Sequence, residues 1–222
     1  FYISGRSNDA VYQYNLSTAW DLSTASYASK SMSVFGQGSQ PYGLAFSADG
    51  TRISVQNDTR TIYEYTLSTP WDVSTGSYAS ANFDFASQSL SALSFTYNAD
   101  GTKMFLNSVA DDTVYQYTLS TPYRPSTATY DNVSYAYGAL SSYRITFGDC
   151  GTKMYLSNAS TTNSVFQYTT VTPATITYPT SITWPGGTAP TSPAIGDTDV
   201  ITFTTRDGGT TYNATVAIDG AS

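Results

Sequence analysis

Few side chains in this sequence are equipped for chemistry, and their spacing narrows the choice further. The 222 residues include no histidine, one cysteine, nine Lys plus Arg and sixteen Asp plus Glu. Glutamate occurs once, at Glu64. Glu64 and Asp84 are the carboxylates that fall inside strand patterns of one segment, and a glycosidase needs two such groups a set distance apart across a cleft. Glu64 stands where related segments carry Gln13, Gln116 and Gln167. That substitution pattern points to a solvated place on a polar strand face. A serine nucleophile needs a base, and the commonest base is missing. Lys30, Lys103 and Lys153 sit in no motif that would replace it.

Acidic residues recur at Asp9, Asp58 and Asp111-Asp112, each ahead of an alternating segment. Calcium takes several oxygens from a concentrated loop, and none of these segments concentrates them. Asp49, Asp100 and Asp149 recur at turns, where Asp bonds its own backbone. Cys150 has no second cysteine to pair with and replaces a turn residue, so it reads as an incidental free thiol. No catalytic residue, metal ligand or cofactor site is assigned, and the chain reads as a non-enzyme.

Aromatic residues offer more. Trp20, Trp71 and Tyr123 recur in one long loop and are the candidates for contact with a glycan; capping the edge of a core is their structural alternative. Tyr12/Tyr14, Tyr63/Tyr65, Tyr115/Tyr117 and Phe166/Tyr168 form pairs on one face of equivalent strands, read as packing between sheets. Glycosylation sequons stand at Asn15, Asn57, Asn132, Asn158 and Asn213.

The elements that carry these residues repeat. Tyr12-Gln13-Tyr14-Asn15-Leu16-Ser17-Thr18-Ala19-Trp20-Asp21 returns as Tyr63-Glu64-Tyr65-Thr66-Leu67-Ser68-Thr69-Pro70-Trp71-Asp72 and again from Tyr115 to Tyr123; a shorter copy runs from Phe166 to Thr169. The steps are 51, 52 and 51 residues. Self-similarity at this period marks propellers, solenoids or strand arrays. Ser and Thr number 66 and Tyr 20, whereas charged helix formers are scarce. Strands favour Thr and the aromatics, so the chain is predicted to be all-β.

The second repeat predicts four strands. Tyr42–Ser47 is apolar and inner, Asp49-Gly50 is a hairpin turn, and Thr51–Val55 returns. Thr61–Leu67 alternates, with Ile62, Glu64 and Thr66 on one face and Tyr63, Tyr65 and Leu67 on the other. Tyr78–Phe85 closes the unit. Four antiparallel strands in about 50 residues is the size of a propeller blade. Phe1 aligns with Arg52, Met104 and Met154, so the chain enters mid-repeat. About 3.5 units are predicted over residues 1–170, incomplete at both ends, and the bare edges are expected to recruit copies of the same chain. Residues 171–222 read as a Pro- and Thr-rich linker and a small β module, with Val200–Thr204 and Thr210–Ile218 paired across Arg206-Asp207-Gly208-Gly209.

A net charge of −7 opposes binding to nucleic acid or to an anionic membrane surface. No apolar run reaches the ~20 residues of a membrane-spanning helix. There is no signal-peptide pattern, and a first residue other than Met is read as processing or a fragment.

Two segments resemble known families. The run Ala48-Asp49-Gly50-Thr51 leading to Tyr63–Thr75 is similar to propeller-like repeats of bacteriophage structural proteins and secreted bacterial proteins. Ile182-Thr183-Trp184-Pro185-Gly186-Gly187-Thr188-Ala189-Pro190, Thr198–Phe203 and Thr205-Arg206-Asp207-Gly208-Gly209-Thr210-Thr211-Tyr212 resemble a C-terminal module of phage tail-fibre proteins. The resemblance implies a structural subunit of a phage tail fibre or virion appendage, on a virion surface or outside the cell. Such a subunit would assemble with its own copies by strand addition and touch cell-surface glycans. A bacterial surface fibril, a discrete carbohydrate-binding adhesin and, last, a glycan-active enzyme are the alternatives.

Overall fold

The computed structural model describes residues 1–138, 142–158, 164–169, 180–184, 187–188, 198–205 and 207–221. The described residues are all-β, with short 3-10 turns and no α-helix. The chain forms two compact units, Phe1–Thr170 and Val171–Ser222.

The first unit is a propeller-like series of antiparallel sheets. The first sheet holds β1 (Tyr2–Gly5), β2 (Ala10–Leu16) and β3 (Ala25–Ser33) in that order. The second runs β4 (Gly43–Phe46), β5 (Arg52–Gln56), β6 (Thr61–Leu67), β7 (Gly76–Asp84). The third runs β8 (Ala92–Tyr97), β9 (Lys103–Ser108), β10 (Thr113–Leu119), β11 (Ala128–Ala136). The fourth has β12 (Ser142–Gly148), β13 (Lys153–Asn158) and β14 (Val165–Thr169). The four strands predicted for the second repeat are all present, within two residues at each end.

One alignment is corrected. Ile3 pairs with Tyr12, and Val55 pairs with Tyr63. Phe1 therefore matches Ile53, not Arg52, together with Met104 and Met154. The cause is the loop between Gly5 and Ala10, which is one residue longer than the loop between Asn57 and Thr61.

Strand register repeats with the same irregularity. The outermost strand of each complete sheet, and β3, bulges where Ser29, Ser80 and Asn132 take φ of 57°, 54° and 56°. Pairing shifts at those points, opposite Gln13/Tyr14, Tyr63/Tyr65 and Gln116/Tyr117. Small and Asx residues tolerate this left-handed conformation better than β-branched ones, which accounts for their presence there.

The cores lie between sheets, because each sheet is apolar on both faces. Val11, Met32 and Val34 of the first sheet pack on Ile53, Val55, Tyr65, Leu67 and Val73 of the second. Ile62 and Phe85 of the second meet Phe95, Met104, Leu106 and Tyr117 of the third. Val114 and Tyr137 meet Ile145, Met154 and Leu156 in the same way. Each fully buried aliphatic side chain here contributes about 1.5–3 kcal/mol.

In the second unit β16 (Thr198–Thr204) pairs antiparallel with β17 (Tyr212–Ala221), and β15 (Ile182–Thr183) lies parallel to β17. Asp207 organises the connecting turn: its carboxylate accepts from the Thr210 and Thr211 N–H groups at 3.1 and 3.0 Å. Trp184 is buried here and packs edge-on to Phe203. Residues 171–179 and 189–197, read as linker, lie outside the described residues.

Candidate functional site

The recurrent loop aromatics are placed by backbone strain and by glycine. Trp20, Trp71 and Tyr123 all have positive φ, at 66°, 66° and 58°. Trp71 lies over Gly50, where an added Cβ would come within 2.3 Å of the indole. It also packs against Phe46, with ring centroids 5.3 Å apart, and its carbonyl accepts from the Tyr2 hydroxyl at 2.6 Å. Tyr123 lies over Gly101 and meets Tyr97 edge-on at 5.4 Å. Both therefore cap the inner hairpin of their own sheet. Trp20 has no inner hairpin beneath it and is 98 % exposed.

The tyrosine pairs form a repeated three-ring cluster. Tyr12 and Tyr14 flank Tyr27, Tyr63 and Tyr65 flank Tyr78, and Tyr115 and Tyr117 flank Tyr130, with centroids 5.5–6.0 Å apart. Tyr65 and Tyr117 are buried, and burial raises both hydroxyl pKa values above the ordinary tyrosine value.

Glu64 overturns its predicted solvated place. It is 2 % exposed. Its Oε2 accepts from Arg124 Nε at 3.0 Å and its Oε1 from the Ser126 N–H at 2.7 Å. The equivalent Gln13 Oε1 accepts from the Val73 N–H at 3.2 Å. The position is a latch onto the long loop of the next sheet. Pro125 removes the N–H that Val73 supplies, and Arg124 with Ser126 replaces it. Asp84 is exposed and accepts from the Ala86 N–H at 2.8 Å, so the two carboxylates share no cleft.

The acidic loop residues are likewise engaged locally. Asp9 accepts from the Gln40 N–H, Asp58 from Ser39, and Asp111 from Ser108 and Tyr115. No group of three metal-ligating side chains occurs among the described residues. Asp49 accepts from Ser47 and from Thr51, and these bonds bring its pKa down to about 2. Cys150 is a free, exposed thiol at a left-handed turn position, φ 50°.

Two sequons are corrected. Asn57 and Asn158 are buried, which denies a glycan access. Asn57 instead holds its loop by accepting from Thr59 and donating to the Gln37 carbonyl. Asn15, Asn132 and Asn213 are exposed.

A groove that sequence reasoning missed runs over the inner strands. It has a volume of about 490 Å³ and is lined by β1, β4, β8 and β12. Tyr42, Ser94, Thr96 and Arg144 supply its polar atoms together with Ser4, and no carboxylate lines it among the described residues. Arg144 Nη1 donates to the carbonyls of Leu93 at 2.8 Å and Tyr143 at 3.2 Å. Desolvation draws the guanidinium pKa down from its ordinary value, yet arginine stays charged at neutral pH. At the rim, Arg6 lies 4.8 Å over the Tyr42 ring and donates to Gln40 at 2.5 Å. The signal was present in the sequence: Arg144 occupies the inner-strand register of Gly43 and Ser94.

No family model and no curated protein matches this chain. Its fold does match solved structures. A candidate 6-phosphogluconolactonase from Bacteroides uniformis shares 11% identity at a TM-score of 0.50, over 72% of this chain and 47% of that one. A second, from Bacteroides fragilis, shares 15% identity at 0.47, over 72% and 44%. A β-propeller domain from Myceliophteria thermophila shares 12% identity at 0.41, over 59% and 38%. The chain thus spans less than half the length of these structures.

These findings correct the reading of a non-enzymatic fibre subunit. The solved structure that shares the fold at a TM-score of 0.50 is a candidate lactonase, not a tail fibre, surface fibril or adhesin. The physical reason for the error is visible. The fibre reading rested on the resemblance of the repeat and of the C-terminal segment to phage proteins and on the incomplete end repeats, and a fold of this kind fixes no function.

Proposed function

We propose that the first unit is a ligand-binding propeller segment whose inner-strand groove takes a small hydroxylated anion of the sugar-acid or sugar-phosphate class. The observation that carries this reading is Arg144: a guanidinium on an inner strand, beside Ser94, Thr96 and Tyr42, with no carboxylate among the described lining residues. A guanidinium offers forked donors that match a carboxylate or phosphate, and neighbouring hydroxyls suit a polyol. The candidate lactonase of the same fold is named for a substrate of this class, which supports the choice of probe.

Calorimetric titration with 6-phosphogluconate tests the reading. Binding should be saturable, and Arg144→Ala should abolish it while leaving the thermal midpoint close to wild type. Absence of binding by the wild-type chain, or an Arg144→Ala variant that binds equally well, overturns the proposal.

Lactone hydrolysis is the second reading, favoured by the fold likeness alone. The described lining offers hydroxyls and a guanidinium but no carboxylate or imidazole to activate water. Following loss of the lactone against a buffer control separates recognition from turnover.

A further inference from the structure

We infer that the recess between the third and fourth sheets is a binding site for the planar aromatic ring of a small molecule, a ring of indole size set beside Phe147 as Trp71 is set beside Phe46. Equivalent junctions of the repeat carry the inference. Between the first and second sheets three rings meet. Tyr2 and Phe46 lie 4.4 Å apart at 42°, and Trp71 adds a third ring 5.3 Å from Phe46 and over Gly50. Between the second and third sheets Tyr123 takes the same place, 5.4 Å from Tyr97 and over Gly101. Between the third and fourth sheets the first two rings are kept: Phe105 and Phe147, the counterparts of Tyr2 and Phe46, lie 4.4 Å apart at 44°. Among the described residues no further ring lies against Phe147. A Cβ added at Gly151 would meet nothing within 4 Å, whereas at Gly50 and Gly101 it would strike the ring above. The repeat explains the difference. Thr172-Pro173 continues the pattern of Thr69-Pro70 and Thr121-Pro122, and the next residue, where Trp71 and Tyr123 stand, is Ala174. Alanine carries no ring.

The recess has a volume of about 440 Å³ and is walled by Tyr97, Phe105 and Phe147, with Gly148, Cys150 and Gly151 along the fourth-sheet hairpin. Its counterpart between the second and third sheets, which Trp71 and Tyr123 line, measures about 310 Å³. The polar groups at its third-sheet edge are already engaged. Asn98 Oδ1 accepts from the Lys103 N–H at 2.8 Å, and Lys103 Nζ donates to Asp131 at 2.8 Å. Recognition therefore falls to the aromatic walls, and tilted or edge-on ring pairs attract beyond the area they bury. Concave and mostly apolar walls are the ordinary form of a small-molecule site. Trp71 and Tyr123 show which shape fits this place in the repeat. The recess shares no described lining residue with the inner-strand groove, so the two sites are independent.

Titration of the full chain with indole provides the test. The wild type should bind indole saturably, and 6-phosphogluconate should not displace it. Cys150, the chain's single cysteine, lines the recess and is exposed. Bound indole should therefore slow alkylation of Cys150 by iodoacetamide several-fold, read by mass spectrometry. Phe147→Leu keeps an apolar side chain on the strand and removes the ring. It should keep the wild-type circular dichroism spectrum and weaken indole binding about tenfold, the upper end of what one aromatic pair contributes. A wild-type chain that does not bind indole overturns the inference. So does binding that leaves the alkylation of Cys150 unchanged, because the ring then sits elsewhere. Binding that survives Phe147→Leu at full strength, or that 6-phosphogluconate displaces, overturns it as well.

Discussion

Trp20 and Trp71 occupy the same place in two copies of one repeat, with the same backbone φ of 66°, and meet opposite fates. Trp71 lies over Gly50, touches Phe46 and receives the Tyr2 hydroxyl on its carbonyl. Trp20 has none of these partners. The same contrast runs through the two sheets: Ile3 against Val55, Leu22 against Val73. A repeated sequence therefore does not repeat an environment. What a residue contributes depends on the sheet next door, and the first sheet has a neighbour on one side where the second has neighbours on both.

The largest effect that would test this contrast is at the third-sheet counterpart of Ile3. Leu106→Ala should destabilise the first unit by about 2–5 kcal/mol, the range for emptying a packed core site. Ile3→Ala should cost less than about 1 kcal/mol. Urea denaturation of the two variants measures both, and equal losses would erase the distinction between covered and uncovered sheets.

Next is the latch between the second and third sheets. Removing the Glu64 carboxylate leaves the Ser126 N–H and the Arg124 guanidinium short of a partner. Losing one member of a buried pair costs about 3–5 kcal/mol, and the part-exposed Arg124 lowers the expected loss for Glu64→Ala to about 2 kcal/mol. Glu64→Gln keeps an acceptor for Ser126 and should cost about half as much. Gln13→Ala should cost about 1 kcal/mol, because one neutral bond is lost at the first junction.

Third is the glycine under Trp71. Gly50→Ala meets both a φ of +70° and the indole, and should cost about 1–2 kcal/mol. Combining it with Trp71→Ala should recover part of that loss, as neighbouring sites are non-additive. Trp20→Ala should stay within about 0.5 kcal/mol, like other substitutions of uncovered surface residues.

The smallest effect is a pH dependence. Hydrogen bonds from Ser47 and Thr51 hold the Asp49 pKa at about 2, below the ordinary carboxylate value. A depressed carboxyl pKa stabilises the fold above the unfolded value, and that stabilisation disappears as pH falls through the folded value. Asp49→Asn should therefore differ from wild type most at neutral pH, and the difference should shrink between pH 4 and about 2. A difference that stays constant down to pH 2 would mean that the charge plays no part in the turn.

Much of the fold was legible in the sequence. The period, the hairpin turns and the alternation of Thr61–Leu67 record local backbone geometry, which neighbouring residues dictate. The candidate site was much less legible. Glu64 looked solvated because alternation shows only that a strand has two faces. It does not show that both faces are covered, and the latch to Arg124 spans 60 residues. Asn57 and Asn158 matched a sequon that says nothing of burial. Arg144 was overlooked although it breaks the inner-strand pattern, because its significance depends on three other strands meeting beside it.

The sequence by itself determined the all-β repeat, the positions of the turns, and the aromatic residues that recur in each copy, since short-range sterics and period-two patterning suffice for these. Only the tertiary structure decided which copies are covered, which carboxylate is a latch and where a cation meets a groove. Those properties arise from packing one sheet on the next, and the latch groups that meet there are about 60 residues apart in the chain.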